Sequence, residues 1–365
     1  MKSWPDTRIL NLLGIQLPII QAPMARCVST EMVIAVSNAG ALGSLPCAAL
    51  SGDQIRAAVA TIRKQSSRPV SLSFFCHHIS APDHYRELLW RQRLAAYYTE
   101  LGLDPQVPPV VPPLATFDGA KCDLIEELRP EVVSFHFGLP APEQLARVKA
   151  TGAKVLSSAT TVDEAVWLQA RGCDAIIAQG YEAGGHRGIF LDSAIYTQAG
   201  TMALVPQVVD AVKLPVIAAG GISDARGIAA AFALGASAVQ IGTAYLLCPE
   251  ATIDAAYRKA LRNAKDDQTA ITNVFTGRPA RAIANRIVRE VGPISDVAPE
   301  FPCAVGAIAQ LQAEAEKQGI EGYRSVWCGQ AARLSREAPA AELTAQLAAE
   351  TLERLLWLFP AAKEQ

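Results

Sequence analysis

The sequence predicts an α/β fold: a (β/α)8 TIM barrel with an insertion after strand 3 and a helical C-terminal extension. Three observations carry this reading. Short apolar runs recur eight times, at about 18–22, 41–45, 70–75, 132–136, 154–158, 175–179, 215–219 and 238–242. Helix-like stretches lie between most of them and several end in a glycine just before the next run, at Gly40, Gly152, Gly172 and Gly235. No G-x-G-x-x-G follows any run, which disfavours the alternative, an open doubly wound sheet.

Each element has a local cause. The runs are too short for helices and too continuous for strands with one wet face, so they read as buried parallel strands. The glycines supply a left-handed cap without a Cβ penalty. Two helices open with capping boxes, Ser51…Gln54 and Thr161…Glu164. The barrel is expected over 10–250, with an insertion at 80–128. That insertion holds a Trp-, Tyr- and Arg-rich helix (about 83–101) and a proline-rich link (105–113). Residues 251–365 form a mostly helical extension capping the barrel, ending in a helix at about 339–357. Either addition could roof the active face or merely pack beside it.

Composition narrows the function. Hydrophobic residues are 50% and charged residues 19% of the 365, which excludes general disorder. Thirty-three basic against 35 acidic side chains give a net charge of −2, so neither nucleic acid nor a membrane surface is an expected partner. The uncharged stretch 227–249 is interrupted by Gly235, Ser237, Gln240, Gly242 and Thr243, so no membrane span is expected. Pro5 and Asp6 break any apolar signal core. The eight cysteines show no C-x-x-C and no spacing with histidine, so reduced thiols, a cytoplasmic location and no metal site are expected. Oligomeric state is not legible.

In a barrel the site lies at the C-terminal strand ends. Strands 7 and 8 end in Gly220-Gly221 and Gly242-Thr243, each before a helix, where barrels bind phosphate through backbone N–H groups and a helix N-terminus. The alternative is that these glycines serve only tight turns. Strand 6 runs into a loop in which Gly180, Gly184, Gly185 and Gly188 surround His186, the candidate catalytic residue. Gln179 at that strand end can donate to and accept from a heterocycle. His136 is as compatible with structure as with catalysis, and His77 and His78 favour structure. A phosphate cradle, a heterocycle-sized mouth and no metal ligands fit flavin mononucleotide (FMN).

At these residues the chain resembles the nitronate monooxygenase (2-nitropropane dioxygenase) family of FMN-dependent barrels. The resemblance rests on QAPMA, VSNAGALGSLP, SFHFGLP, QGYEAGGHRG, LVPQVVDAV, PVIAAGGI and VQIGTA, and more weakly on FTGRPARAIANR and WCGQAARL. It implies that Ala22, Pro23 and Met24 run along the flavin edge and that Gln179 bonds the ring. Gly184, Gly220, Gly221, Gln240, Gly242 and Thr243 would hold the ribityl phosphate, and His186 would be catalytic. The implied reaction takes an alkyl nitronate or other small anion and O2 to a carbonyl compound and nitrite. Related barrels include NAD(P)H:quinone and enoyl-thioester reductases, and a non-redox FMN or sugar-phosphate protein is a third class. Three departures stand out. Ser73 replaces the usual flavin-contacting asparagine. Arg26 and Cys27 replace two glycines, putting a guanidinium where it can meet an anionic substrate, with His136 as a second substrate candidate. FPCAVGAIAQ (301–310) places apolar residues where tyrosine and lysine are usual.

Overall fold

The computed structural model describes residues 4–79, 81, 83–107, 114–191 and 194–358. All eight apolar runs form strands: β1 Ile19–Gln21, β2 Gly43–Pro46, β3 Val70–Phe75, β4 Val132–His136, β5 Lys154–Ala159, β6 Ala175–Gln179, β7 Val216–Ala219 and β8 Ala238–Ile241. They pair in parallel from β2 round to β8, and β8 pairs with β1. A parallel bridge between Ile20 and Leu42 joins β1 to β2 and closes the ring. An open doubly wound sheet would leave two free edges, so the barrel stands.

The local signals act as expected, with one exception. Gly40, Gly152, Gly172 and Gly235 all turn the chain at φ between 91° and 94°, a conformation that costs a side chain. The capping box at Ser51 is complete. At Thr161 only half forms: its hydroxyl accepts from Glu164 N, but the buried Glu164 carboxylate turns away. It accepts instead from Thr160 N and Oγ1 and from Phe190 N, anchoring the loop after β6.

Helix Arg8–Leu13 lays Ile9 and Leu13 against Ile20, Leu42, Leu156, Ile177 and Ile217, sealing the N-terminal end of the barrel. The opposite end carries a second core. Helix His84–Glu100, from the insertion, contributes Trp90, Leu94, Tyr97 and Tyr98. Val274, Phe275, Ile287, Val288, Ile308 and Leu311, from beyond β8, complete it. The Tyr98 hydroxyl donates to the Ala307 carbonyl at 2.8 Å. Of the proline-rich link, 108–113 lie outside the described residues.

The last helix, Ala340–Leu358, lies against helices Thr30–Asn38 and Ala225–Ala233 and buries Leu343, Leu347 and Leu355 in the barrel core. It occupies the eighth place in the outer ring. The chain between β8 and this helix also holds two antiparallel strands, Thr269–Thr272 and Ala280–Ile283, which periodicity did not single out. The second of them pairs with Gly185–His186. No helix of the described residues is long and apolar enough to cross a membrane.

Candidate active site

A cavity of about 590 Å3 opens at the C-terminal strand ends, and every site residue chosen from the sequence lines it. Its floor is the top ring of the barrel: Ser73, Ser134, Ser158, Gln179, Ala219 and Gln240. Ser73 faces Ser134 across β3–β4, and Ala219 faces Gln240 across β7–β8. Four of these six side chains, Ser73, Ser134, Ser158 and Ala219, are short and leave space above the barrel core. Ala22, Pro23 and Met24 continue from β1 along one side, Ala22 N donating to the Ile241 carbonyl at 2.8 Å. Arg26 follows, exposed and at φ 61°, with its carbonyl accepting from Thr252 Oγ1 at 2.9 Å.

One end of the cavity is backbone. Gly220 and Gly221 have φ of 111° and 69°. A Cβ on Gly220 would come within 3.0 Å of Ala183 N and 3.1 Å of Gly180 O, so two turns pack main chain on main chain. Among the described residues, the N–H groups of Gly221, Gly242 and Thr243 have no hydrogen-bond partner. All three residues line the same cavity, and unpaired backbone N–H groups are donors that can hold an anion. Of the two helical segments that follow these glycines, the 3-10 turn Thr243–Leu247 starts at one of these N–H groups, whereas the N-terminus of helix Ala225–Ala233 is capped from within the chain. Asp224 already caps that helix, accepting from Arg226 N and Gly227 N and pairing with the Arg226 guanidinium at 2.6 Å.

Residues 327–331 close this end. Gly329 N donates to Thr243 Oγ1 at 2.9 Å, and Gln330 N donates to the Glu182 carbonyl at 3.0 Å. A Cβ on Gly184 would lie 2.5 Å from both Cys328 C and Gly329 N. Gly329 and Ala331 line the cavity and were not chosen from the sequence. Their signal was WCGQAARL, noted only as a weak likeness.

The other end is aromatic and surrounds His186. Its Nε2 lies 2.9 Å from Thr276 Oγ1, and its ring sits 5.3 Å from Phe301 and 5.6 Å from Trp327. Among the described residues Nδ1 has no hydrogen-bond partner. The His186 main chain is held firmly. Its carbonyl accepts from Gln179 Nε2 at 3.0 Å and from His136 Nε2 at 3.2 Å, while Gln179 Oε1 accepts from Gly188 N at 2.7 Å. Gln179 thus clamps the loop within the protein. His136 must carry its proton on Nε2 to donate, so its Nδ1 accepts from Ser158 Oγ at 2.9 Å. His77 and His78 lie outside the lining.

Burial first, then the positive side chains nearby, push both line-up histidines down. His186 falls to about 3, with His136 and Arg278 adding to burial. His136 also falls to about 3, with Arg278 the next contributor. Both rings are therefore neutral near pH 7. The Arg278 guanidinium stacks 3.9 Å over the Phe137 ring. Among the described residues, no group of three or more His, Cys, Asp or Glu is arranged to hold a metal.

A family model described as nitronate monooxygenase matches residues 6–350. The chain belongs to the nitronate monooxygenase family. A nitronate monooxygenase of Pseudomonas aeruginosa is 42% identical over 345 residues, covering 94% of this chain and 98% of that protein. A nitroalkane oxidase from Streptomyces ansochromogenes superposes with a TM-score of 0.86 at 36% identity, covering 96% of this chain and 99% of that one. FabK from Thermotoga maritima superposes with a TM-score of 0.73 at 26% identity, covering 98% and 99%. The nitronate monooxygenase match runs past β8 to residue 350. The wall made by Thr276, Phe301 and Trp327 is therefore part of the shared family chain, not an appendage to it.

Proposed function

We propose that this family member is an FMN-dependent oxidoreductase that converts alkyl nitronates and O2 to a carbonyl compound and nitrite. The observation that carries it is a neutral histidine with one uncommitted ring nitrogen, enclosed in the same cavity as an unpaired cluster of backbone N–H groups. The residues fit FMN. Gly221, Gly242 and Thr243 offer donors for its phosphate, Gly184 and Gly220 let the main chain close around it, and the small floor residues Ser73 and Ala219 leave room for a flat ring beside Gln240, Ala22, Pro23 and Met24. When bound, FMN supplies the electron acceptor and the route to O2.

His186 does the protein's share at the substrate. The Thr276 hydroxyl suits either tautomer. If it donates to Nε2, Nδ1 carries a proton and can hold a nitronate oxygen. If it accepts from Nε2, bare Nδ1 can take the α-proton of a parent nitroalkane. Low polarity around the ring strengthens the contact with an anion. His136 and Gln179 hold the loop that aims His186, a positioning role; Gln179 can also face the flavin. Arg26 adds a positive charge for the anionic substrate. The barrel (10–250, completed by the 340–358 helix) supplies the floor and the cradle glycines, and the chain beyond β8 serves both ends, with 327–331 closing the cradle and Thr276, Phe301 and Trp327 walling the substrate end beside a core shared with the 84–100 helix. Eight unpaired thiols, six of them buried, suit a cytoplasmic setting.

The deciding experiment is anaerobic mixing of the yellow holoenzyme with a nitronate and, separately, with NADH and NADPH, while following the flavin spectrum. Bleaching by the nitronate, and nitrite on adding O2, supports the reading. Bleaching by NADH or NADPH alone, with no nitrite, replaces it with a reductase. A colourless protein that cannot be reconstituted with FMN removes the redox reading.

A further inference from the structure

We propose that the cavity beyond His186 is a chamber for an apolar tail, so that the preferred nitronates carry a medium-length alkyl substituent rather than a short or charged one. This rests on the reading of His186 as the nitronate site.

The chamber is walled by Phe75, Leu114, Phe275, Phe301, Val305 and Ile308. Phe301 stands at its inner end, its ring 5.3 Å from His186 and 6.4 Å from Phe75. Helix Val305–Lys317 then carries the wall outward. Val305 and Ile308 are three residues apart and share a face; Gln312 continues the same row. All three line the cavity. The row therefore reads apolar, apolar, polar, with Gln312 tethered by its Nε2 to the Tyr323 carbonyl at 3.1 Å. From Val305 to Gln312 the helix advances about 10 Å, roughly the reach of six to eight extended carbons.

Charge argues the same way. No Asp, Glu or Lys is among the residues lining the cavity, and the one arginine, Arg26, is exposed. A tail with its own charge would be desolvated against rings and aliphatic side chains without a partner. An apolar tail gains with each methylene that leaves water.

The test uses the FMN-loaded full chain and straight-chain carboxylates from acetate to decanoate. These are unreactive planar anions of the nitronate head's shape, and the flavin absorbance change reports their Kd. The Kd is expected to fall about three- to fourfold per methylene, levelling at roughly six to eight carbons. The kcat/KM of the matching nitronates should follow. Val305→Gln should flatten the series, and Val305→Phe should move the levelling point to shorter chains; retained flavin shows that each variant folds. A Kd independent of length, or a wild-type profile in Val305→Phe, overturns the chamber. Rising affinity with no nitrite from any nitronate sinks the proposed function and the nitronate half of this inference. Nitrite release with a flat series sinks the inference alone.

Discussion

The two ends of the cavity are built by opposite means. The cradle end is main chain against main chain: Gly220 against Ala183 and Gly180, and Gly184 against Cys328 and Gly329. The His186 end is side chain against side chain, with Thr276, Phe301 and Trp327 brought from far along the sequence. A backbone site tolerates few substitutions but fixes one shape. A side-chain site can be recut while the barrel stays the same. The two ends are not separate in sequence: Gly184 and His186 lie on one loop, and Trp327 runs directly into the 328–331 segment that closes the cradle.

Substitution at His186 should separate the ends most sharply. His186→Ala is expected to keep bound flavin but lower kcat/KM on a nitroalkane by about 10²–10⁴-fold, the usual worth of a positioned acid–base group. With a preformed nitronate the loss should be smaller, because no proton need be taken. Equal turnover to wild type on both substrates would place the chemistry elsewhere. Loss of flavin would show that the two ends are not separate.

Gly184→Val attacks the other end. The new side chain must push the 327–331 main chain away from the cradle. Overpacking costs about 1–3 kcal/mol, which would weaken flavin binding by about 10–100-fold. The measurement is the FMN dissociation constant of the apoprotein. Unchanged affinity would mean that the lid formed by 327–331 is not part of the cradle.

The same contrast explains what the sequence could disclose. All eight strands and the cradle glycines were legible because their causes are local: an apolar run, a glycine cap, a strand end. His186 stood out through the glycines around it. Thr276 and Gly329 were not singled out, because nothing in their own neighbourhoods marks them; Phe301 was met only as the first residue of 301–310, the apolar segment that departs from the resemblance. Thr276 reaches the site beside the strand pairing of Ala280 with His186, Phe301 beside a second core shared with the 84–100 helix, and Gly329 through its N–H on Thr243 Oγ1. The half-formed capping box at Thr161 failed for the same reason: a distant loop, at Phe190, claimed the Glu164 carboxylate. The last helix looked like part of an extension because a long excursion separates it from the ring it completes.

Enclosure of the histidines gives a pH prediction of intermediate size. His186 and His136 titrate at about 3 and His77 at about 4 in the fold, against about 6.5 unfolded. Unfolding therefore takes up protons between those values, and stability, complete above about pH 6.5, falls as pH drops toward 4. His186→Gln should remove one such proton. Its stability loss between pH 7 and pH 5, measured by urea unfolding, should be smaller than wild type by up to about 2 kcal/mol. The kcat/KM profile on a preformed nitronate should show no histidine inflection near 6.5. An inflection there would mean that His186 is hydrated rather than enclosed.

The smallest effects are expected at Arg26, where the cavity lining meets solvent. Two properties coincide in that residue: a positive charge lining the cavity and a left-handed backbone at φ 61°. Arg26→Ala removes the charge and keeps the strain. Arg26→Gly removes both. Exposed charges contribute at most about 1 kcal/mol, so each variant should raise KM for an anionic nitronate by up to about fivefold and leave a neutral nitroalkane nearly unaffected. Only the glycine variant should gain thermal stability, by about 1 kcal/mol, because an L residue in the left-handed region costs about 1–2 kcal/mol and glycine's added chain entropy offsets part of that. If alanine and glycine shift KM alike but neither discriminates by charge, Arg26 acts through packing. If glycine brings no gain in stability, the left-handed turn is held by its surroundings, beginning with the Thr252 hydroxyl on the Arg26 carbonyl.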